Sequence, residues 1–269
     1  MQSYSAVAFC EIGNSSIKLC VQQRFLTIEY RRNHRWGSTV VRVLRTLPEP
    51  LLLVIASVAP ERSRTLLRLL ARQLPRCSVC WANELLPPNN PLLPYPKVHG
   101  IGIDRLLALL GARRELAPPL IALDCGTAVT VNALDATGEC RGGAILPGIS
   151  LQLRALARGT AALPRLEFAL PQHPIGSTTA EAMRSGVYAA VLGGILELLR
   201  RYRESLQAAT LPVAITGGTA HLLYPELSAR WDGTVVLRPH LVLEGLQWLW
   251  ESTPGHVQMQ HVQPVEVHQ

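Results

Sequence analysis

Lysine is almost missing from this chain: among 26 basic side chains only Lys18 and Lys97 are lysines, and the rest are arginine. A compact ammonium is thus placed sparingly, and both copies fall beside segments that stand out on other grounds. Aromatic residues are scarce too, at 5% against 48% hydrophobic overall, which describes a soluble globular chain of one large or two ordinary domains within 269 residues. No basic stretch opens the chain, Glu11 interrupts the first apolar run, and Leu51 to Ala59 is far too short to span a bilayer. A cytoplasmic protein without a membrane partner is expected. The six cysteines, Cys10, Cys20, Cys77, Cys80, Cys125 and Cys140, mostly lie in strand-like apolar runs, where thiols act as small hydrophobes in a reducing cytosol. Cys77 and Cys80 have the spacing of a metal or redox pair, but no second pair accompanies them, which argues against zinc. The formal net charge of +7 is modest for this length and gives little support to a nucleic-acid partner.

What is present is a corner that occurs twice. In Glu11-Ile12-Gly13-Asn14-Ser15-Ser16-Ile17-Lys18 and in Asp124-Cys125-Gly126-Thr127-Ala128-Val129-Thr130-Val131, an acid stands two residues before a glycine, followed by a small polar residue and another alternating strand. Either copy alone reads equally as turn chemistry. Two copies with matching flanks point to a duplicated domain whose glycine turns, Gly13 and Gly126, approach a phosphate, with backbone N–H donors, Asn14 or Thr127, and a carboxylate that can hold a metal ion. Lys18, just past the first turn, suits a phosphate contact.

Alternation predicts strands over Ser5 to Ile12, Ile17 to Val21 and Phe25 to Tyr30, then a helix over Ser38 to Leu47 and a buried strand over Leu51 to Ala56. A helix over Ser63 to Leu74 capped by Ser63 and a strand over Cys77 to Ala82 follow. Asn83 to Gly100, rich in proline, is neither helix nor central strand, and leads to Gly102-Ile103-Asp104-Arg105 and a helix over Leu106 to Glu115. Asp104 there reads either as a helix cap or as a functional acid. After Pro118-Pro119 the pattern restarts with strands over Leu120 to Asp124, Thr127 to Ala133 and Glu139 to Leu146. Helices over Ile149 to Arg158 and Thr179 to Tyr202, a strand over Leu211 to Thr216 ending at Gly217-Gly218, and a closing helix over Leu241 to Trp250 complete it. The expected organisation is an N-terminal domain over residues 1–117, a C-terminal domain over 118–252 and a disordered tail over 253–269.

These segments, in order, resemble the type III pantothenate kinases of the actin-like, RNase H-like ATPase and sugar-kinase superfamily. The family's first phosphate motif, Asp-x-Gly-Asn-Thr-x-x-Lys, is similar to Glu11 to Lys18, its substrate segment to Tyr95 and Gly102 to Arg105, and its second phosphate motif to Asp124 to Thr130. Gly142 to Gly148, Thr179 to Gly186, Thr216 to Gly218 and Leu241 to Leu246 match as well. The resemblance implies an α/β fold of two duplicated RNase H-like domains, each a mixed sheet with flanking helices, with the active site in the interdomain cleft. It implies transfer of the ATP γ-phosphate to pantothenate, the first step towards coenzyme A. Glu11, Gly13, Asn14, Ser15, Lys18, Gly126 and Thr127 would bind phosphate, and Asp104 would be the general base. Tyr95, Gly102, Ile103, Asp104, Arg105 and Thr179 would bind substrate. Asp124 would hold potassium or ammonium, and Glu11 is a candidate magnesium ligand. Family members are dimers whose pantothenate pocket the partner completes, and the Thr179 helix would carry the contact.

Three residues depart from the family pattern: Glu11 stands for aspartate, Ser15 for threonine and Cys125 for a small apolar residue. The glutamate shifts its carboxylate by on the order of 1 Å, a displacement that matters where geometry is tight. That change keeps a second reading open, a non-catalytic regulator, with Tyr30-Arg31-Arg32-Asn33-His34-Arg35-Trp36 as its basic and aromatic surface. A third reading is another phosphotransferase on the same fold, because glycine corners report phosphate and not the acceptor.

Overall fold

The computed structural model describes residues 4–253 and the pair Gln260–His261. The chain divides into two compact units, Met1–Gly111 with the closing helix from Val242, and Ala112–Leu241.

In the first unit β1 (Ala6–Ile12), β2 (Ser16–Val21) and β3 (Arg24–Glu29) form an antiparallel meander, followed by α1 (Trp36–Leu44), β4 (Leu51–Ser57), α2 (Pro60–Gln73) and β5 (Cys77–Trp81). β4 and β5 add in parallel beside β1, which gives the order β5-β4-β1-β2-β3. All but the last residue of β4 is buried, as its uninterrupted apolar run requires of a strand covered on both faces. Val40 and Leu44 of α1 and Leu66 and Leu70 of α2 pack with Ile12, Ile17, Leu53 and Ile55 in one core. The short α3 (Ala82–Leu85) precedes a proline-rich loop, and α4 (Ile103–Arg113) follows it.

The second unit repeats the plan. β6 (Leu120–Cys125), β7 (Ala128–Leu134) and β8 (Cys140–Pro147) are antiparallel, and after α5 (Ile149–Gly159) and α6 (Thr179–Ser205) come β9 (Val213–Thr216), α7 (Ala220–Arg230) and β10 (Val235–Leu237). The order β10-β9-β6-β7-β8 is the order of the first sheet with each strand replaced by its counterpart. The helix α8 (Leu241–Glu251) closes the chain, and β11 (Gln260–His261) pairs antiparallel with β5.

Several sequence expectations shift. Ser63 is no cap: Pro60, whose ring presets the helical φ, starts α2, and Ser63 lies buried inside it, sharing a 2.7 Å hydrogen bond with Ser57. Asn83 to Leu85 are helical although they belonged to the expected loop. α7 was not anticipated because Pro225 sits inside it, and β10 is too short to alternate. The expected border at 117/118 falls instead at Gly111/Ala112, and α8 returns to the first unit, where Gly245 allows its backbone onto α4: a Cβ there would lie 2.0 Å from the Leu107 carbonyl oxygen. Of the tail expected to be disordered, Gln260 and His261 form a strand, and 254–259 and 262–269 lie outside the described residues. α6 has the length and composition to cross a bilayer, a feature the sequence reading passed over. It nevertheless buries Met183, Val187, Val191, Leu192, Ile195 and Leu199 in the core of the second unit.

Candidate active site

The first corner joins β1 to β2. Gly13 N–H donates to the Ser16 carbonyl at 3.0 Å, which leaves Asn14 and Ser15 exposed at the tip, and Tyr30 N–H donates to the Ser15 carbonyl at 3.1 Å. Glu11 and Lys18 stand directly opposite one another in the strand register, where side chains on one face meet. Lys18 Nζ donates to Glu11 Oε1 and Oε2, both at 3.0 Å, and only 18% and 11% of the two side chains is exposed. In such a sheltered place each charge needs the other, because removing one leaves a desolvated ion behind.

Asp104 belongs to the same unit. The Gly102 carbonyl accepts from Arg105 N–H at 3.1 Å and Leu106 N–H at 3.3 Å, so Asp104 lies within the first turn of α4 and does not cap it. Its Oδ1 accepts from Arg105 N–H at 2.9 Å. Burial raises its carboxyl above the ordinary 3.8 of aspartate, opposed by the Arg105 N–H and guanidinium and by the Lys18 ammonium. Lys18 is thus paired with Glu11 and adds the weakest of these electrostatic pulls on Asp104. Gly102 makes the placement of Asp104 possible, since a Cβ there would fall 2.6 Å from Asp104 Oδ1 and 3.6 Å from Val58 Cγ1. Val58 N–H in turn donates to the Ile12 carbonyl at 3.1 Å, so the segment after β4 touches both the first corner and the Asp104 turn. The sequence reading missed Val58; its only signal was its place between a buried strand and Pro60.

Of the other expected substrate residues, Ile103 is buried, 4% exposed, and anchors the start of α4, and Arg105 is half-buried beside Asp104. The Tyr95 hydroxyl donates to the Leu86 carbonyl at 2.6 Å, which orients it to meet a ligand as an acceptor. Lys97 and His99 are exposed. Thr179 opens α6 and is exposed, while Thr178 is the cap, with the Glu181 N–H donating to its hydroxyl at 3.2 Å.

The second corner joins β6 to β7. Gly126 N–H donates to the Ala128 carbonyl and Gly148 N–H to the Thr127 carbonyl, both at 3.0 Å. Asp124 pairs in register with Thr130 on β7 and Thr216 on β9. Gly217, at φ +100°, brings the chain against it: a Cβ there would lie 2.4 Å from Asp124 Oδ1. Thr219, which sequence reasoning also missed, ties this loop down, its N–H and hydroxyl donating to the Cys125 carbonyl at 3.0 and 2.9 Å.

The two corners differ as metal sites. Asp124, in a cradle kept open by Gly217 and Gly126 and opposite a hydroxyl, fits a hard monovalent cation taking oxygen ligands. A divalent ion bound directly to Glu11 does not fit. Both Glu11 oxygens already accept from the Lys18 ammonium, which would repel a second cation on the same carboxylate. Among the described residues no group of three His, Cys, Asp or Glu side chains forms a metal cluster. Cys77 and Cys80 are free, buried thiols pushed up to about 12 by burial. The aromatic members of the Tyr30 to Trp36 cluster, 6% and 5% exposed, belong to the core, with Arg62 over the Tyr30 ring at 4.2 Å, so that cluster offers no stacking surface to nucleic acid.

A family model for type III pantothenate kinase matches residues 9–201. The type III pantothenate kinase of Rhodopirellula baltica is 48% identical over 152 residues, covering 54% of this chain and 53% of the relative. That of Synechococcus elongatus is 39% identical over 158 residues, covering 59% and 61%. With these relatives the chain spans a little over half of their length, whereas with the Rubrobacter xylanophilus enzyme, 35% identical over 244 residues, it covers 87% of this chain and 89% of the relative. Among solved structures, a Baf-family protein from Campylobacter jejuni superposes with a TM-score of 0.58 at 18% identity, covering 92% of this chain and 98% of its own. An archaeal actin homologue in complex with ADP superposes at 0.53 and 12% identity, covering 92% and 100%. The fold is that of the actin-like ATPases, and the chain belongs to the type III pantothenate kinase family.

Proposed function

We propose that this protein transfers the γ-phosphate of ATP to the primary hydroxyl of pantothenate, as the first step of coenzyme A biosynthesis in the cytoplasm. The observation that carries the reading is the half-buried Asp104, its proton affinity raised, in the same unit as the phosphate corner and within the field of Lys18. Phosphoryl transfer runs through a loose transition state, so the residues act by positioning and by neutralising charge. Asp104 accepts the proton of the attacking hydroxyl, Arg105 holds the pantothenate carboxylate, and Tyr95 accepts from its amide. Thr179 is a further substrate contact. Gly13, Asn14, Ser15 and Lys18 of the first corner bind phosphate oxygens, and Gly126 and Thr127 form a phosphate-binding corner of their own in the second unit. Asp124 holds potassium or ammonium, which supplies positive charge near those oxygens. The divalent cation, magnesium in the cell, accompanies the nucleotide.

A homodimer is part of this proposal. On α6, Ala182, Gly186, Ala189, Ala190 and Gly193 are exposed, with nothing within 4 Å of a Cβ at Gly186 or Gly193. Beside that face lies a groove of about 610 Å³ between α5 and α6, lined by Ala155, Leu156, Met183 and Val187 among others and without a titratable side chain. Such a surface suits a second copy of the helix and not chemistry.

The test is ATP consumption by purified protein with magnesium and potassium, with and without pantothenate, for the wild type and Asp104→Asn. Pantothenate-dependent turnover that the variant loses, with ATP binding retained, is the expected outcome; equal turnover in both proteins rules out Asp104 as the base. Turnover on a different alcohol in place of pantothenate points to another phosphotransferase.

A further inference from the structure

We infer that Glu11 acts as a positioning residue for Lys18 and not as a ligand of the divalent cation, so that the metal reaches the first corner only on the nucleotide. The inference rests on the reading of that corner as a nucleotide phosphate site. Three observations carry it. Both carboxylate oxygens of Glu11 lie 3.0 Å from the same ammonium, so each already accepts from Lys18. The two residues are directly opposed across an antiparallel pair, so the contact is built into the register and does not depend on a flexible loop. Both side chains are largely screened from water, which makes the pair persistent where an exposed pair would be transient.

The glutamate explains itself in these terms. Its carboxylate stands on the order of 1 Å, one methylene, further from the strand than that of the family's aspartate. At that length it reaches the end of the opposed lysine and fixes the ammonium beside the turn where Gly13, Asn14 and Ser15 lie. A lysine otherwise free to rotate about four side-chain bonds is held in one place before the phosphate arrives, and Asp104, the next carboxylate in its field, keeps its ionised form partly stabilised.

The experiment uses manganese as the divalent probe. Mn2+ binding is followed by electron paramagnetic resonance for the wild type and Glu11→Gln, first without nucleotide and then at fixed ATP, and MgATP affinity is measured by calorimetry for Glu11→Gln, Lys18→Met and the double variant. The Mn2+ titrations of wild type and Glu11→Gln should superimpose, with the midpoint at fixed ATP unchanged. Glu11→Gln should weaken MgATP binding about tenfold in the wild-type background and not at all in the Lys18→Met background, since coupled residues are non-additive. Loss of a Mn2+ site in Glu11→Gln, or a tenfold rise in the Mn2+ midpoint, overturns the inference, as does an equal effect of Glu11→Gln in both backgrounds. Lys18→Met alone strands a sheltered carboxylate and can unfold; the Mn2+ comparison, which needs only Glu11→Gln, then decides. If the wild type binds no MgATP at all, the kinase reading fails together with this inference, whereas a metal effect at Glu11 with ATP binding intact sinks only the inference.

Discussion

The two glycine corners share a plan and differ in charge. In both, an acid two residues before a glycine ends the first strand of a meander and the following strand returns beside it. In the first the residue opposite the acid is Lys18, which forms an ion pair with it; in the second it is Thr130, a hydroxyl side chain. One position opposite an acid thus separates a corner that holds an ammonium against its carboxylate from one that sets a hydroxyl there. Duplication supplied the backbone, and a single cross-strand partner sets the electrostatics.

The largest expected effect comes from removing the acid that has no counterpart in the duplicated corner itself. Asp104→Asn should lower pantothenate-dependent turnover by roughly 10² to 10⁴, the usual contribution of a general base. The same change should raise the thermal midpoint at neutral pH. Because the folded carboxyl binds its proton more tightly than the unfolded one, the unfolded chain ionises first, and stability falls as pH rises from 3.8 through the raised folded value. Asparagine removes that loss. Turnover follows the opposite course, growing as Asp104 ionises, so its acid limb should lie above that of an ordinary aspartate, and a pH–rate profile of the wild type measures it.

Next comes the charge difference. Asp124→Asn should abolish stimulation by potassium and lower turnover by about 10² to 10³, the scale of losing one electrostatic contact to the reacting phosphate. Thr130→Lys, which copies the first corner's pairing into the second, should make turnover indifferent to potassium. If potassium stimulates that variant as it does the wild type, the comparison of the two corners fails.

The smallest effects test backbone. Gly217→Ala places a side chain at φ +100° and 2.4 Å from Asp124 Oδ1, and should cost about 1 to 3 kcal/mol, seen as a thermal midpoint several degrees lower. Gly13→Ala meets only the Ser16 carbonyl oxygen at 3.4 Å, an ordinary contact, and its midpoint should barely move.

Much of this was legible because it is local. The alternation of β1, β2 and β3 and the unbroken apolar run of β4 follow from period-two burial, and the corners were found from turn residues at fixed spacing. The reading failed where distant packing overrules local pattern. Pro225 forbids a helix by propensity, yet α7 forms around it with Leu223 and Leu227 in the core. The same holds for Tyr30 and Trp36, which look like a surface cluster among arginines and are instead buried, since seven positions of sequence cannot tell which side of a turn faces the core.

By itself, then, the sequence determined the two three-stranded meanders, the duplication and the chemical types gathered at the two corners, because side-chain periodicity and turn geometry act over a few residues. Only the tertiary structure decided that both Glu11 oxygens accept from Lys18, that burial raises the proton affinity of Asp104, and that α8 returns to the first unit at Gly245. Those outcomes depend on strand register, on burial and on contacts between residues far apart in the chain, whose energies exist only once the core has closed around them.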